Sequence, residues 1–170
     1  MALPSVLKNF NLFNDAKSYM GVAEDVKLPK LARKLEDYRG GGMNGPVGVD
    51  LGQEKLDMEF TCGGFMEQVF TQYGTTKADG VMLRFAGAYQ RDDTAQVQAI
   101  EVVVRGRHQE IDMGDAKAGD KGKLTVKSSL SYYKLTVDNK VLIEIDLLNM
   151  IEIVNGVDVL QAQRQAIGLA

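Results

Sequence analysis

The sequence of 170 residues has a single cysteine, Cys62, a single histidine, His108, only three prolines and no tryptophan. One cysteine excludes an intramolecular disulfide framework. Residues 1–13 lack the basic region and apolar core of a secretory signal, so we expect the chain to stay in a reducing cytoplasm. Runs of apolar residues stay well below the ~18 residues of a membrane span, which argues against membrane insertion.

The numbers of acidic and basic residues are also nearly equal. Twenty basic residues against 23 acidic residues give a net charge of -3. This balance argues against a large electrostatic footprint on nucleic acid or on an anionic membrane. The length favours one domain, 1–170, with a core large enough to need no metal or disulfide.

The glycine and proline content favours β structure. Eighteen glycines against three prolines suit tight turns between extended segments. Apolar and polar residues alternate over 56–61 and 81–89, which predicts strands. The longest predicted strand is 124–137, and Asp138 and Asn139 form a turn to a return strand over 141–146. We expect a meander of 10–13, 19–28 and 31–38, and a strand over 96–104 that is covered on both faces because both parities are apolar.

Two segments predict helices instead. In 65–73 the apolar residues fall at i, i+1, i+4, i+5 and i+8, which indicates a short amphipathic helix that ends at Gly74. A short C-terminal helix is predicted over 159–167, with Asp158 as its N-cap and Gly168 after its end.

Two glycine-containing segments predict extended loops, 39–48 and 112–122. The first contains Gly40, Gly41 and Gly42, and such a run can bring backbone N–H groups onto a phosphate. Neither Gly-Lys-Ser nor Gly-Lys-Thr follows it, and no helix pattern opens after it, so a nucleotide-binding loop is not supported. Loops of this length are usually functional or disordered.

Catalytic and metal chemistry have few candidate residues. His108 lies far in sequence from Cys62, and no carboxylates cluster at metal-ligand spacing. We expect Cys62 to be a core thiol and His108 a polar histidine at a strand end. A thiol enzyme would have to pair these two residues by the folding of the chain. The chain is therefore predicted not to be an enzyme and to have no catalytic residues, cofactor or metal.

Residues 28–43, LPKLARKLEDYRGGGM, resemble the signature region of the major tail tube protein of contractile-tailed bacteriophages and R-type pyocins. Further matches follow in the order of the family along nearly the whole chain. They are Val49-Asp50-Leu51-Gly52, Arg84-Phe85-Ala86-Gly87, Tyr89-Gln90-Arg91-Asp92-Asp93-Thr94, Arg105-Gly106-Arg107, Glu110-Ile111-Asp112, Glu144-Ile145-Asp146 and Asn155-Gly156-Val157-Asp158.

The resemblance implies a mainly β protomer, a β-sandwich or barrel of two packed antiparallel sheets with one flanking α-helix. Six protomers would form a ring whose inner sheets join edge to edge, and an extended loop would reach the adjacent ring. The loop residues expected to make these contacts are Tyr38, Arg39, Gly40, Gly41, Gly42, Met43 and Asn44. Polar-parity residues of the strands 56–61 and 124–137 are the candidates to line the lumen.

The function so implied is the inner tube of a contractile phage tail, a conduit for DNA ejection that does not bind DNA specifically. Its partners would be copies of the same chain and the sheath, baseplate and tape measure proteins, in a virion tail assembled in the host cytoplasm. One alternative is the tube of a headless R-type pyocin-like particle. A more remote alternative is a β-sandwich ligand-binding module, although the absence of tryptophan disfavours the aromatic platform that sugar binding uses.

Overall fold

The computed structural model describes residues 1–169, and β-strands account for most of them. This confirms the predicted mainly β class. The strands are β1 Ser5–Asn14, β2 Lys17–Ser18, β3 Ala23–Lys27, β4 Arg33–Tyr38, β5 Val47–Gln53, β6 Leu56–Cys62, β7 Val81–Arg91, β8 Val97–Asp112, β9 Leu124–Val137, β10 Lys140–Asp146, β11 Ile151–Val154 and β12 Val157–Asp158. The helices are α1 Glu67–Thr71 and α2 Gln161–Ala166.

Ten strands form one antiparallel sheet that is divided into two layers by its two long strands. One layer runs in the order β12-β11-β10-β9-β8-β7-β1-β2. The second layer has four strands in the order β3-β6-β9-β8, because β6 pairs the first half of β9 and β3 pairs β6. The two layers enclose one core, and β4 and β5 form a separate two-stranded sheet.

The long strands change layers at an irregularity in their pairing. The register between β8 and β9 shifts between Arg105 and Gly106, opposite Ser131, which is one residue more than the partner strand supplies. An extra residue of this kind bends a strand and increases its twist. It also reverses the side-chain parity of β9: Val126 and Leu130 point into the core before Ser131, and Tyr133 does so after it.

Side chains from both layers fill the core. The largest fully buried ones include Phe60 from the four-stranded layer, Leu12 and Phe85 from the larger layer, and Tyr19 from the connection between β2 and β3. Phe85 stacks on Phe10 with 5.6 Å between ring centroids, and Tyr19 meets Phe60 edge to face at 6.2 Å. Burying a side chain of this size contributes about 1.5–3 kcal/mol, so this interface between layers holds the fold together.

Several local predictions are confirmed. The turn at Asp138 and Asn139 has both residues at positive φ, 48° and 66°, as a two-residue hairpin requires. The predicted amphipathic helix is present as α1, and Gly74 follows it at φ 80°. The C-terminal helix is present as α2, with Gly168 after it at φ 85°.

Four expectations about local structure were wrong. The segments 10–13, 19–28 and 31–38 form no meander, because β1 pairs β7, β3 pairs β6 and β4 pairs β5. The strand over 96–104 is covered on one face only, and Val97 on it is 58% exposed. Residue 160, not Asp158, is the N-cap of α2, while the Asp158 carboxylate accepts a hydrogen bond from the Leu160 N–H and pairs with Arg164.

The fourth concerns loop boundaries. Val47 and Gly48 of the predicted loop 39–48 already belong to β5, so the connection is 39–46. Asp112 of the predicted loop 112–122 is the last residue of β8, and the connection to β9 is 113–123.

Candidate assembly interface

The hairpin of β4 and β5, which we call the arm, packs on neither layer of the sheet. All six residues of β4 and the first five of β5 are exposed. An isolated two-stranded hairpin is marginally stable at best in water. The arm is therefore expected to need contacts with another molecule for its stability.

The two faces of the arm differ in chemistry. Directly opposed residues of an antiparallel pair lie on the same face, and the pairs are Tyr38 with Val47, Glu36 with Val49 and Leu35 with Asp50. One face thus carries Tyr38, Val47 and Val49, each at least 44% exposed, and the alternation continues to Leu51 at 52%. Burial of this stripe by another molecule would be favourable.

The residues expected to make assembly contacts lie at the tip of the arm. Tyr38 ends β4 and is 61% exposed, and Arg39 to Asn44 follow in the connection. The tip has its own hydrogen bonds: the Arg39 Nε donates to the Met43 carbonyl at 3.1 Å, and the Met43 N–H donates to the Gly40 carbonyl at 3.2 Å. Gly42 has φ 84°, a conformation that favours glycine.

The base of the arm is tied to the body by Arg33, a residue that the sequence did not single out. Its guanidinium donates to Asp50 at 2.9 Å and to Glu152 of β11 at 2.8 Å. The hydrogen bond to Asp50 raises the pKa of Arg33, and the bond from the Gly52 N–H, followed by that from Arg33, lowers the pKa of Asp50. The Ala32 carbonyl also accepts from the Gln53 side chain. These bonds fix where the arm leaves the body.

Two edges of the four-stranded layer have no partner strand within the described residues. One is the outer edge of β3, and the other is the last part of β8, from Arg107 to Asp112, where β7 no longer reaches. Unpaired edge N–H and C=O groups can bind another strand. The layer can thus add a strand on either side.

The outward face of this layer is polar and mainly acidic. Core-facing positions alternate with charged ones, so the ladder pairs Lys27 with Glu59 and Glu110 with Lys127 on the outside. The charged residues of this face are Asp25, Lys27, Asp57, Glu59, Arg107, Glu110, Asp112 and Lys127. Carboxylates therefore outnumber cations there by five to three.

The residues of β9 that were predicted to line the lumen do not all lie on one surface. Thr125, Lys127 and Ser129 share this acidic face with β6, but the extra residue Ser131 reverses the alternation. Lys134 and Thr136 therefore lie on the open face of the larger layer. The sequence carries a signal of this reversal, because the apolar residues of the strand fall at even positions up to Leu130 and at odd positions from Tyr133.

His108 is not at a strand end, as the sequence suggested, but is buried in the middle of β8 at 5% exposure. Its Nε2 lies 2.9 Å from the Gln72 side-chain oxygen and its Nδ1 2.9 Å from the Ser128 hydroxyl. The Gln72 amide also exchanges two bonds with Asn14, at 2.7 and 2.8 Å, which fixes its oxygen as an acceptor. Nε2 therefore carries the proton, and Nδ1 accepts from Ser128.

This buried network ties α1 to the sheet rather than performing chemistry. Burial lowers the pKa of His108 to about 4, so the ring is neutral near pH 7. Cys62 is fully buried, as predicted for a core thiol, and burial raises its pKa to about 11. A nucleophilic thiolate needs the opposite shift.

Other classes of site find little support in residues 1–169. No group of three or more potential metal ligands occurs among them. No helix in this part of the chain is long and apolar enough to cross a membrane.

The model of the phage tail tube protein FII family matches residues 4–168. The chain belongs to this family. The tail tube protein of Escherichia phage P2 is 52% identical over 172 aligned residues, which cover 99% of this chain and 100% of the relative. The major tail tube protein of Serratia phage KSP20 is 45% identical, over 89% of this chain and 88% of the relative.

Solved structures share the fold at low identity. A chain of the PVC sheath-tube complex, an extracellular contractile injection system in its extended state, has a TM-score of 0.60 at 9% identity, over 78% of this chain and 91% of that one. A chain of the six-fold symmetrised baseplate of the anti-feeding prophage has a TM-score of 0.55 at 12% identity, over 80% and 97%. The tail tube fold is thus present here.

Family membership confirms the resemblance that the sequence showed. The protein is a structural component of the phage virion tail and is not an enzyme. It is a tail tube protein of the kind found in contractile tails and injection systems. The arm and the two free strand edges are accordingly candidate contacts between copies of the chain.

Proposed function

We propose that six copies form a ring, that rings stack into the inner tube of a contractile tail, and that DNA leaves the virion through the lumen. The observation that carries the proposal is the arm, a hairpin that is exposed on both faces and has an apolar stripe. A monomer gains nothing from such an element, whereas a polymer can bury it at every subunit.

The four-stranded layer supports the proposal of a closed ring. Its free edges, β3 on one side and the last part of β8 on the other, belong to different strands. Pairing one edge with the other edge of the next copy is a head-to-tail contact, which closes into a ring when the rotation allows. Six such copies make a barrel with more strands than the ~16–18 of porins, which already leave an aqueous channel.

The acidic face of the four-stranded layer suits the lumen. A surface with excess cations would hold DNA by releasing counterions from its phosphates. Five carboxylates against three cations on this face instead repel the phosphate backbone. The open face of the larger layer then points away from the channel, where the sheath would surround the tube.

The tip of the arm would make the contact between rings. Tyr38, Arg39, Gly40, Gly41, Gly42, Met43 and Asn44 are the residues that we assign to it. Arg39 offers a cation at an exposed tip, and Tyr38 offers an apolar ring with a polar end. Contacts of this kind give both burial and register.

The partners beyond the chain itself would be the sheath, baseplate and tape measure proteins. Structural relatives are chains of a sheath-tube complex and of a baseplate, which supports the first two. DNA would pass through the lumen without sequence-specific binding.

The test is negative-stain electron microscopy of the purified protein across a concentration series, with light scattering on the same samples. We expect hollow tubes or six-fold rings with a central channel. Preformed tubes should be added as seeds to every sample, so that slow nucleation does not hide growth. A protein that stays monomeric at every concentration with seeds present would refute the proposal.

A deletion separates the arm from the rest of the fold. Removing residues 40–45 should leave a folded protein, seen by an unchanged circular dichroism spectrum, that does not stack. The substitution Asn9→Ala is a control because it lies on β1, away from the arm. Normal tubes from the deletion variant would show that the tip does not join the rings.

A further inference from the structure

The apolar stripe of the arm requires a complementary surface, and its position on the protomer limits where that surface can be. The arm begins after β3 ends at Lys27 and is complete before β6 begins at Leu56. These two strand ends lie at the same end of the four-stranded layer, because β3 and β6 are antiparallel neighbours. The arm therefore leaves from one end of this layer.

A second exposed apolar cluster lies at the opposite end of the same layer. There β6 ends at Cys62 and is followed by the segment that leads into α1, while the connection 113–123 joins β8 to β9. Phe65 is 64% exposed and Met113 is 57% exposed. The two ends are separated by the length of β6, about 20 Å for seven residues.

Phe65 and Met113 border an open groove of about 390 Å³. Its other lining residues include the small Gly64 and Ala116, with Leu124 at the side of the core. Phe65 itself stacks on Phe70 of α1 at 5.0 Å between ring centroids, so the rim is anchored to the body. We call this surface the distal groove. It is defined by Gly64, Phe65, Met113, Ala116, Lys117, Lys123 and Leu124.

The charges beside the two apolar surfaces are mixed in sign. The apolar face of the arm also carries Glu36, which opposes Val49. The distal groove is bordered by Lys117, Lys121 and Lys123 and by Asp115 and Asp120, and Lys121 is already paired with Glu24. The charges of the groove therefore nearly balance, and its exposed apolar side chains are what it offers to the arm.

We propose that the distal groove of one copy receives the apolar face of the arm from a copy in the adjacent ring. This rests on the proposed function, since only stacked rings bring the two ends together. A contact between opposite ends of the same molecule repeats without limit along an axis, as a tube requires. The occupant is thus a second copy of this chain, held by the burial of Tyr38, Val47 and Val49 in the groove.

Cysteine pairing between two singly substituted chains tests the contact directly. Cys62 is fully buried, so the background thiol does not react. A mixture of V49C and F65C chains, grown on tube seeds and oxidised, should give a covalent dimer on a non-reducing gel. V49C mixed with L148C is the matched control, because Leu148 is 58% exposed but lies in the turn after β10. It should give no dimer.

Two results would overturn the assignment. If electron microscopy shows tubes in the V49C and F65C mixture and no dimer forms, the arm binds elsewhere and only this inference fails. If no tubes form from the unsubstituted protein with seeds, the proposed function fails as well.

A second measurement does not depend on the geometry of a disulfide. F65C should react with a maleimide in the monomer and be protected at least tenfold in the tube, while L148C should react equally in both. Equal labelling of F65C in tubes and monomers would overturn the proposal and leave the groove to a different protein, such as the sheath.

The substitution Met113→Glu adds an equilibrium readout. It places a carboxylate under the arm, and we expect the critical concentration for tube growth to rise at least tenfold. Leu148→Glu should leave it unchanged. A critical concentration that is the same for both variants would contradict the assigned groove.

Discussion

Two consecutive strands, β5 and β6, have the same length and the same alternation but opposite environments. β5 reads VGVDLGQ and exposes Val47, Val49 and Leu51 at 44–54%. β6 reads LDMEFTC and buries its apolar residues almost completely. Alternation therefore indicates that a strand has an apolar face. It does not indicate whether the same chain or another chain covers that face.

The difference lies in what each strand pairs with. β6 lies between β3 and β9 and faces the larger layer of the sheet across the core, whereas β5 pairs only β4. The body gains its stability within the protomer, and the arm gains its stability from assembly. The two regions should therefore respond differently to the same kind of substitution.

The largest contrast is expected for apolar truncation. Phe60→Ala removes a fully buried ring that contacts both Tyr19 and His108, and should lower the free energy of unfolding by about 3–5 kcal/mol. Val49→Ala in the arm should change it by no more than about 0.5 kcal/mol. Urea unfolding of the monomers measures both values.

The effect on tube growth should be larger for Val49→Ala than for Phe60→Ala, which is the reverse of their effects on monomer stability. Val49→Ala should raise the critical concentration although the monomer is as stable as before. A Val49→Ala monomer destabilised as strongly as Phe60→Ala would mean that the arm is part of the protomer core.

The second contrast is the response to pH. The folded-state pKa of His108, about 4, lies below the ordinary value of 6.5. The neutral ring is thus favoured by the fold, and its contribution is fully present above about pH 6.5 and lost as the pH falls to about 4. A shift of this size corresponds to about 3 kcal/mol. The arm has no histidine.

Urea unfolding at a series of pH values between 7 and 4 measures the slope. His108→Gln is the control, because an amide can still donate to Gln72 and accept from Ser128. The slope between these pH values should be smaller in His108→Gln. Equal slopes in the two proteins would show that His108 is not the titrating group.

A third contrast compares two glycines. A Cβ at Gly106 would lie 2.0 Å from the Ser129 carbonyl oxygen, at the point where β8 and β9 change layers. Gly106→Ala should therefore shift the backbone and cost about 1–3 kcal/mol. Gly41→Ala at the arm tip meets no atom within 4 Å, and should leave the thermal midpoint unchanged. If the Gly106→Ala protein were as stable as the unsubstituted protein, the backbone at this bend could shift at little cost in free energy.

Sequence reasoning predicted the elements that local chemistry determines. The turn at Asp138 and Asn139, the strand over 124–137 and the short helix before Gly74 depend on residues within a few positions of one another. Their signals are therefore complete in the local sequence.

The partners of the strands could not be predicted in the same way. The alternating charges of 31–38 suited a strand in a meander, but pairing with β5 rather than β3 depends on what the whole sheet leaves free. The reversal of parity at Ser131 is visible in the spacing of apolar residues, but the change of layer that goes with it depends on the match between two strands. In the candidate interface the tip was expected from family resemblance, whereas Arg33, Val47 and the distal groove became apparent only in three dimensions.

The smallest effect is expected at the base of the arm. Arg33 bridges Asp50 of β5 and Glu152 of β11, and its planar guanidinium bonds both carboxylates at once. Arg33→Lys keeps the charge but loses this fork of donors. Because Arg33 and Asp50 are exposed to solvent and the retained charge can still pair with Glu152, the thermal midpoint of the monomer should change little. The direction in which the arm leaves the body should become less fixed.

The measurable consequence lies in tube growth, where an arm that samples several directions must be ordered on binding. We expect the critical concentration of Arg33→Lys to rise two- to threefold, less than for Met113→Glu. Lys8→Ala is the control, because Lys8 forms a similar exposed pair with Asp92 at 2.9 Å on the body. If both variants grow tubes like the unsubstituted protein, the contacts in the next ring position the arm. The bonds of Arg33 at its base would then not determine the direction of the arm.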